Sequence, residues 1–421
     1  MCSTLVLVLA LIVTSVCADE HINFVMWKPN QPELWREVIA TFERESGVRI
    51  VREIGPHSST SAHALLAQKL KNRDPNLDVF LMDVIWPPEF ASAGWAMPLD
   101  ELFPVEDRQD FFSGAITACT FRNKIYGVPF WISGGLLYYR KDLLKTYRMK
   151  PPKTWDELVR QAKKIVRGER ERNRVLWGYS GQFKQYEGLV CNMQEFLLSN
   201  RGKLLDLEDR RSTLDNTSNI EAIRYVRDRI IGSVAPRGVL TYEEPESLHL
   251  FIQGHAVFHR NWPYAWEIAN SPKKSRIAGR VAITLLPHFP KGRSVSTLGG
   301  WQFGISAFSR KKRRAWEFIK FMTSPRIQKL FALRASQAPA RRSLYMDPEV
   351  LSRNPHFATL KAVFDITVPR PLLPLYPLYS DILQRFYSRA ISFKDSAVKL
   401  LARQADKKVQ DLLSLSEAAG R

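Results

Sequence analysis

The chain has 421 residues, of which 45% are hydrophobic and 25% are charged. This length exceeds what one ordinary hydrophobic core supports, so two lobes are expected, and the composition excludes a fibrous or disordered chain. The formal net charge of +20 leaves nucleic acid, an anionic membrane surface or an anionic ligand open as partners. The basic residues are spread widely, however, and form no recognisable nucleic-acid-binding motif. We therefore expect no nucleic-acid partner and interpret basic runs such as residues 310–314 as solvated helix faces.

The first eighteen residues predict a secretory signal. Leu5–Val16 is an apolar run that is too short to span a membrane, and Val16-Cys17-Ala18 resembles a small-residue cleavage site. Residues 1–18 are therefore expected to be a signal peptide that is cut after Ala18, with a lipid anchor on Cys17 as the alternative. The expected location is the periplasm or the cell exterior, and membrane contact is expected only through a partner.

Two cysteines, Cys119 and Cys191, remain after cleavage at this point. A disulfide between them is compatible with export, but their spacing fits no metal or redox motif. Two buried free thiols are an equally good interpretation. The eight histidines show no metal-ligand spacing either, so no metal or cofactor is expected.

Strands and helices alternate at the start of the mature chain. Hydrophobic periodicity and helix-end signals predict strands and helices in alternation. The predicted strands are residues 22–27, 48–51 and 78–82, and the predicted helices are residues 32–46, 61–72 and 86–93. This βαβαβ order predicts a mostly parallel sheet with helices on both faces.

A second unit begins near Gly134. Thr154 and Glu157 have the spacing of a capping box, which predicts a helix that extends to Ile165. Other predicted strands are 135–139, 256–259 and 281–286, and other predicted helices are 187–199, 220–231, 246–253, 311–322, 325–334 and 380–414. Residues 287–294 contain Pro and Gly and predict a connection back to the first unit, while the proline-rich residues 369–377 argue against a regular helix.

Several short motifs occur in a recognisable order along the mature chain. They are Phe80–Trp86 with Ala93–Trp95, Gly127–Pro129 with Gly135–Asp142, Asn261–Trp266, Leu298–Gln302, and Ser324-Pro325 before a helix. With these motifs the chain resembles the family 1 extracellular solute-binding proteins of ABC importers, and within them the trehalose/maltose-binding type. The resemblance extends through nearly the whole mature chain.

The resemblance implies an α/β fold with two lobes, of the type II, maltose-binding-protein-like kind, and a ligand cleft between the lobes. The chain would cross between lobes near residues 129–134 and 287–298. The expected N-terminal lobe comprises residues 19–131 and about 296–350, and the expected C-terminal lobe comprises residues 132–295 and about 351–421. Closure of the two lobes would bury the ligand.

Asp83 is the first candidate for ligand binding. It ends a buried strand at its carboxyl end, where open α/β sheets place ligands, and its carboxylate can accept two hydroxyl hydrogen bonds. The alternative is that Asp83 caps the helix that begins at Trp86. The resemblance places a ligand-binding Asp at this position.

Two aromatic loops supply further candidates. Trp262 and Tyr264 follow an apolar strand, in a loop that should lie at the surface. The resemblance implies that Trp262 stacks on a sugar ring and that Tyr264 forms a hydrogen bond with it. Gly300 and Trp301 combine backbone that can be approached closely with an aromatic face. The alternative for this pair is a hinge bulge, with Trp301 in packing between the lobes.

The first loop contributes Asn30 and Gln31, where similar proteins carry a Glu near Gln31. Trp131 and Ser133 fall where the trehalose/maltose type tends to carry Tyr and Asp. Trp131 keeps an aromatic platform, whereas Ser133 removes a carboxylate. These departures make trehalose or maltose itself less certain and make an acidic or phosphorylated sugar easier to accommodate.

Arg341 and Arg370 are candidates for the far side of the cleft, because a guanidinium presents a planar donor fork to vicinal hydroxyls or to a carboxylate. A surface position is an equally good interpretation of each.

The expected function is the substrate-binding component of an ABC sugar importer, which captures a mono- to oligosaccharide, such as the disaccharides trehalose or maltose. The expected partners are this carbohydrate and the permease subunits, and the expected state is a monomer. A receptor for a glycerol phosphodiester or similar anion is the alternative. A glycoside-active enzyme is more remote, because glycosidases need two carboxylates and the predicted cleft offers Asp83 alone. The chain also has no Gly-x-Ser-x-Gly elbow and no phosphate-binding loop.

Overall fold

The structure is a computed structural model that describes residues 21–418, except residues 30, 57, 207, 208, 210 and 396. The predicted signal peptide, residues 1–18, and the predicted site residue Asn30 lie outside the described residues. None of the helices in the described ranges combines the length and the apolar composition that crossing a membrane requires.

The described chain alternates strands with helices along most of its length. The strands are β1 (His21–Trp27), β2 (Arg49–Gly55), β3 (Val79–Asp83), β4 (Thr120–Phe121), β5 (Lys124–Ile125), β6 (Val128–Gly134), β7 (Leu136–Arg140), β8 (Trp177–Ser180), β9 (Leu205–Asp206), β10 (Arg211–Ser212), β11 (Ala256–Asn261), β12 (Val281–Thr284), β13 (Ser296–Ile305) and β14 (Thr367–Val368).

The helices are α1 (Pro32–Ser46), α2 (Ser59–Lys71), α3 (Pro87–Ser92), α4 (Val105–Arg108), α5 (Ser113–Ala118), α6 (Lys141–Thr146), α7 (Trp155–Arg170), α8 (Glu187–Ser199), α9 (Thr217–Tyr225), α10 (Glu244–Ile252), α11 (Ala265–Asn270), α12 (Lys312–Met322), α13 (Pro325–Ala335), α14 (Pro348–Arg353), α15 (Phe357–Asp365), α16 (Tyr376–Ser392) and α17 (Val398–Ala418). A π-helical turn, Val226–Ile230, continues α9.

Two separate sheets form the centres of two lobes. The first has the strand order β14-β13-β3-β1-β2, with β6 also paired to β13, and the second has the order β12-β7-β11-β8. In the first sheet β1 is parallel to β2 and β3, as the βαβαβ order predicts, whereas β13 runs antiparallel to β3 and β6. Helices α1 and α12 pack on the first sheet in one hydrophobic cluster, and α8, α9, α16 and α17 share another with the second lobe.

The crossing between lobes is built from paired strands. Strand β6 belongs to the first sheet and leads through Gly135 into β7 of the second, and residues 285–295 lead back from β12 to β13. Strand β14 pairs with the start of β13. We propose that the lobe boundaries expected from the sequence apply, with β6, β13 and β14 forming the shared crossing.

Local signals predict several elements well. Helix α1 has the predicted bounds, and Gly47 ends it in the left-handed conformation at φ 71°, which glycine adopts without strain. Helix α7 begins with the predicted capping box: Thr154 Oγ1 accepts the N–H of Glu157 at 3.2 Å, and Glu157 Oε2 accepts the N–H of Thr154 at 3.3 Å.

Other predicted bounds are wrong for identifiable reasons. Strand β11 continues to Asn261 because its last residues pair with the start of β7. The predicted final helix is two helices, separated after Ser392. The proline-rich segment also contributes to α16, since Pro377 lies in the first turn, where a backbone N–H is not needed.

Cys119 and Cys191 are both buried and free, so the interpretation as free thiols is correct and the disulfide is not formed. The thiol of Cys119 donates to Gln302 Oε1 at 2.9 Å.

Thr154→Ala should lower the free energy of unfolding by about 1 kcal/mol, because it removes the side-chain acceptor of the first turn of α7. Ser58→Ala is the matched control, since Ser58 is the N-cap of α2 but makes no capping bond with its side chain. Urea unfolding of both variants measures the difference. Equal losses in the two variants would contradict the contribution of the capping box.

Candidate functional site

A cavity of about 1280 Å³, partly open to solvent, lies between the lobes. It is bounded by the end of β3, the second half of β6 and the middle of β13 on one side, and by the loop after β11 and the start of α8 on the other. Nine of the sequence-predicted site residues line it: Gln31, Asp83, Trp131, Ser133, Trp262, Tyr264, Gly300, Trp301 and Arg370. The fold thus brings together residues that are up to 339 positions apart in sequence, from 31 to 370.

The first lobe presents a wall of indole rings to this cavity. Trp301 lies 4.1 Å from Trp27 between ring centroids, with the planes tilted by 33°, and Trp27 lies 4.9 Å from Trp131. Trp86 also contacts Trp301, edge-on at 5.5 Å between ring centroids. The rings pack against one another, and three of them, Trp27, Trp131 and Trp301, line the cavity.

Glycine is required at position 300 by the close approach of two strands. Gly300 has φ 145°, and a Cβ atom there would lie 2.6 Å from the carbonyl oxygen of Trp131. The pairing of β6 with β13 shifts register between Trp301 and Gln302, so the predicted bulge is present. Trp301 nevertheless lines the cavity, so the bulge and the cavity-facing ring occur together.

The second lobe presents Trp262, which follows directly after β11. Its indole Nε1 donates to Glu244 Oε1 at 3.1 Å, and the guanidinium of Arg260 lies over its ring at 4.0 Å from the centroid. The hydroxyl of Tyr138 donates to the carbonyl oxygen of Trp262 at 2.8 Å. Arg260 is itself fixed by a buried ion pair with Glu195. The orientation of Trp262 is therefore determined by several contacts at once.

Asp83 and Arg370 meet inside the cavity rather than facing it as separate groups. Arg370 Nη2 donates to Asp83 Oδ1 at 3.0 Å, and Arg370 Nη1 donates to Glu187 Oε1 at 2.6 Å. All three side chains are buried. Asp83 belongs to the first lobe and Glu187 to the second, so one guanidinium joins the lobes. The capping alternative for Asp83 is not supported, because the N-cap of α3 is Trp86 and makes no side-chain capping bond.

The electrostatics of Asp83 follow from this burial. Loss of solvation raises the pKa of Asp83 above its ordinary value, and the positive charge of Arg370 opposes the rise. The Nε atom of Arg370 is buried and has no hydrogen-bond partner in the described part of the chain.

Trp27, Tyr186, Glu187 and Glu244 are among the cavity residues that sequence reasoning missed. The hydroxyl of Tyr186 donates to Glu244 Oε2 at 2.9 Å, while Trp262 donates to the other carboxylate oxygen, Oε1. One signal was available for Glu187, because a carboxylate followed directly by the apolar run Gly188–Cys191 at the start of a helix needs a partner when that helix is buried. Glu244 carries no comparable signal, since it starts an ordinary capped helix.

The structure corrects the expectation for Arg341, which is not among the residues that line the cavity. Its Nε donates to the carbonyl oxygen of Thr323 at 2.8 Å, its Nη1 pairs with Asp110 at 3.1 Å, and its guanidinium lies over Phe111. Its donor fork is used in packing within the first lobe. In the ranges that the structure covers, no group of three or more His, Cys, Asp or Glu side chains could hold a metal ion.

Two α/β lobes with a partly open, aromatic-walled cavity between them are typical of a protein that binds a small solute between its lobes. The family model for bacterial extracellular solute-binding proteins matches residues 28–329, and the chain belongs to this family. The protein is the solute-binding component of an ABC transporter, a class that binds small ligands and works with permease subunits.

Three known proteins illustrate the similarity. A probable ABC transporter-binding protein of Deinococcus radiodurans is 35% identical over 338 residues, which is 80% of each chain. The maltose-bound structure of T. maritima MalE3 matches with a TM-score of 0.88 and 35% identity, over 93% of this chain and 99% of that one. The maltotriose-binding protein of Pyrococcus abyssi is 27% identical over 277 residues, covering 65% of this chain and 56% of that protein.

Arg370→Leu should lower the free energy of unfolding by about 3–5 kcal/mol at neutral pH, because it leaves buried carboxylates without a partner. It also removes the charge that opposes the rise of the Asp83 pKa. An acid whose pKa is higher in the folded state stabilises the fold less as pH rises, so the deficit should shrink as pH falls towards about 4.

Urea unfolding between these pH values measures the effect. Arg385→Leu is the control, because Arg385 is exposed on α16 and pairs only at the surface with Asp381, so a change below about 1 kcal/mol is expected. A deficit in Arg370→Leu that does not depend on pH would contradict the electrostatic explanation.

Proposed function

We propose that this protein captures a neutral sugar, from a mono- to an oligosaccharide, and delivers it to the permease of a sugar importer. Within this range we favour a disaccharide such as maltose or trehalose. The observation that carries the proposal is the wall of Trp27, Trp131 and Trp301, which lines the same cavity as Trp262 of the second lobe. Sugar rings offer apolar C–H faces to such indoles and hydroxyl edges to carboxylates and amides.

The charges in the cavity favour a neutral ligand over an anion. Its described lining contains four carboxylates and one guanidinium. The guanidinium is that of Arg370, which already pairs with Asp83 and Glu187. The carboxylates of Glu244 and Glu267 add negative potential, which opposes an acidic or phosphorylated ligand. Ser133 lacks the carboxylate that similar proteins tend to carry at this position, but Glu244 and Glu267 of the second lobe supply carboxylates to the same cavity.

We propose that the protein is a receptor and not an enzyme. A glycosidase holds two carboxylates on opposite sides of the scissile bond. In this cavity the two most buried carboxylates, those of Asp83 and Glu187, share the same guanidinium. The relatives described above are binding proteins, which agrees with this proposal.

The proposed function also includes export, a monomeric state and a location outside the cytoplasmic membrane, as expected from the sequence. We propose that residues 1–18 direct export, that the protein acts as a monomer in the periplasm or outside the cell, and that it meets the membrane through its permease.

Trp262→Ala and Trp301→Ala should each weaken sugar binding by about 1–3 kcal/mol, because each removes an aromatic face that a ring covers. Isothermal titration calorimetry with maltose and trehalose measures the change. Trp177→Ala is the matched control, because Trp177 is 41% exposed on β8 and does not line the cavity. If both cavity variants bind like the wild type, the assignment of the site is refuted.

Salt dependence separates the two classes of ligand. The affinity for a neutral sugar should change by less than about twofold when ionic strength rises from about 0.05 to 0.5 M, whereas the affinity for an anion should fall steeply. Titrations with maltose and with a glycerol phosphodiester at both ionic strengths provide the measurement. Tight, salt-sensitive binding of the phosphodiester would overturn the neutral-sugar proposal.

A further inference from the structure

A groove of about 700 Å³, partly open to solvent, lies between α16 and α17. These two helices pack against each other in the hydrophobic cluster of the second lobe. None of the residues that line the groove also lines the main cavity between the lobes. The surface, which we call the α16–α17 groove, is therefore separate from the solute site.

The floor of the α16–α17 groove is apolar. It is formed by Ile382 and Phe386 of α16 and by Leu401 and Ala405 of α17. Each pair is spaced by four residues and so lies on one face of its helix. Phe386 and Ala405 are buried, whereas Ile382 and Leu401 are only half-buried. A partner that enters the groove can therefore bury further apolar surface.

The edges of the groove are basic. Arg389 and Lys408 are exposed, and neither forms an ion pair with a residue that the structure describes. Arg385 also lines the groove and pairs with Asp381, which is the only carboxylate of the described lining. Three basic side chains thus stand against one acidic side chain, and the groove attracts anions.

Two large apolar side chains are exposed where the helices meet. Phe393, which follows the last residue of α16, is 68% exposed, and Leu400, in the first turn of α17, is 56% exposed. The exposed Lys394 and Lys399 stand next to them in sequence, together with the exposed Asp395. Exposed apolar side chains flanked by lysines suit the interface of a bilayer, which accepts apolar groups below a layer of charged headgroups.

We infer that the α16–α17 groove and the adjoining residues Phe393 and Leu400 bind the anionic phospholipids of a membrane surface. Arg389 and Lys408 contact the phosphate groups, and Phe393 and Leu400 enter the apolar region below them. A soluble phosphate would leave both exposed side chains in water, so a membrane fits the whole surface better. This direct contact adds to the one proposed through the permease, and it does not depend on which solute is bound.

Vesicle sedimentation of the full chain tests this contact. One set of vesicles contains phosphatidylglycerol and phosphatidylcholine in equal amounts, and the other contains phosphatidylcholine alone. The test variant is Arg389→Glu with Lys408→Glu. Lys163→Glu with Arg167→Glu is the matched control, because Lys163 and Arg167 are exposed basic residues of α7 and the net charge changes equally.

The wild type should bind the anionic vesicles at least about tenfold more tightly than the neutral ones at an ionic strength of about 0.1 M. Each basic residue close to an anionic surface adds about fivefold to the affinity. Reversing Arg389 and Lys408 should therefore weaken binding to the anionic vesicles by at least about tenfold. The control pair on α7 should lose less than about threefold, because only long-range attraction is reduced.

The apolar part of the contact is tested without a change of charge. Phe393→Ser should weaken binding to the anionic vesicles by at least about threefold, because the ring no longer enters the bilayer. Val175→Ser is the matched control, since Val175 is 82% exposed and adjoins a basic residue, Arg174, but lies far from α16 in sequence. It should bind like the wild type.

Equal losses in the two charge-reversal variants would overturn the proposed surface, because binding would then follow net charge alone. A wild type that does not distinguish the two kinds of vesicle would overturn it as well. If soluble polyglutamate binds the wild type but not Arg389→Glu with Lys408→Glu, and the anionic vesicles are not bound, the partner is an acidic protein segment and the membrane contact is refuted. Each of these results leaves the proposed capture of a sugar unchanged.

Discussion

The rest of the site depends on one buried guanidinium. Arg370 follows the last strand of the crossing and reaches carboxylates of both lobes, Asp83 and Glu187. Ion pairs at this depth are expensive to desolvate, so each member requires the others. Their arrangement exists only when the two lobes stand in the relation seen here. The geometry of the cavity and the relative position of the lobes are therefore parts of the same constraint.

The strands that cross between the lobes, β6 and β13, also position the indole rings that line the cavity. Strands β6 and β13 approach so closely at Gly300 that no side chain fits there. The pairing shifts register between Trp301 and Gln302, and Trp301 lines the cavity in contact with Trp27 and Trp86. The start of β13 is held from the second lobe, because the N–H of Thr297 donates to Glu195 Oε1 at 3.1 Å. The same Glu195 positions Arg260, which lies on Trp262.

Sequence reasoning succeeded where the determining interactions are local. The bounds of α1, the cap at Gly47 and the capping box at Thr154 depend on residues a few positions apart, so they can be read directly. Nine cavity residues were predicted, most of them from the resemblance to a family. Long-range partners could not be read in this way. Arg341 has the same donor groups as Arg370, but it forms an ion pair with Asp110, which is 231 positions away in the sequence. The roles of Glu187 and Glu244 depend equally on which helix starts face the cavity.

The several contacts that fix Trp262 have a consequence for kinetics. A platform that is already held by Glu244, Arg260 and Tyr138 has little side-chain freedom left to lose when a ligand arrives. When the site is preorganised in this way, diffusion and the motion of the lobes set the association rate, which is therefore similar for related ligands. Differences in affinity among these ligands then come mainly from their dissociation rates. A receptor of this kind discriminates by residence time, which is also the time it has to find its transporter.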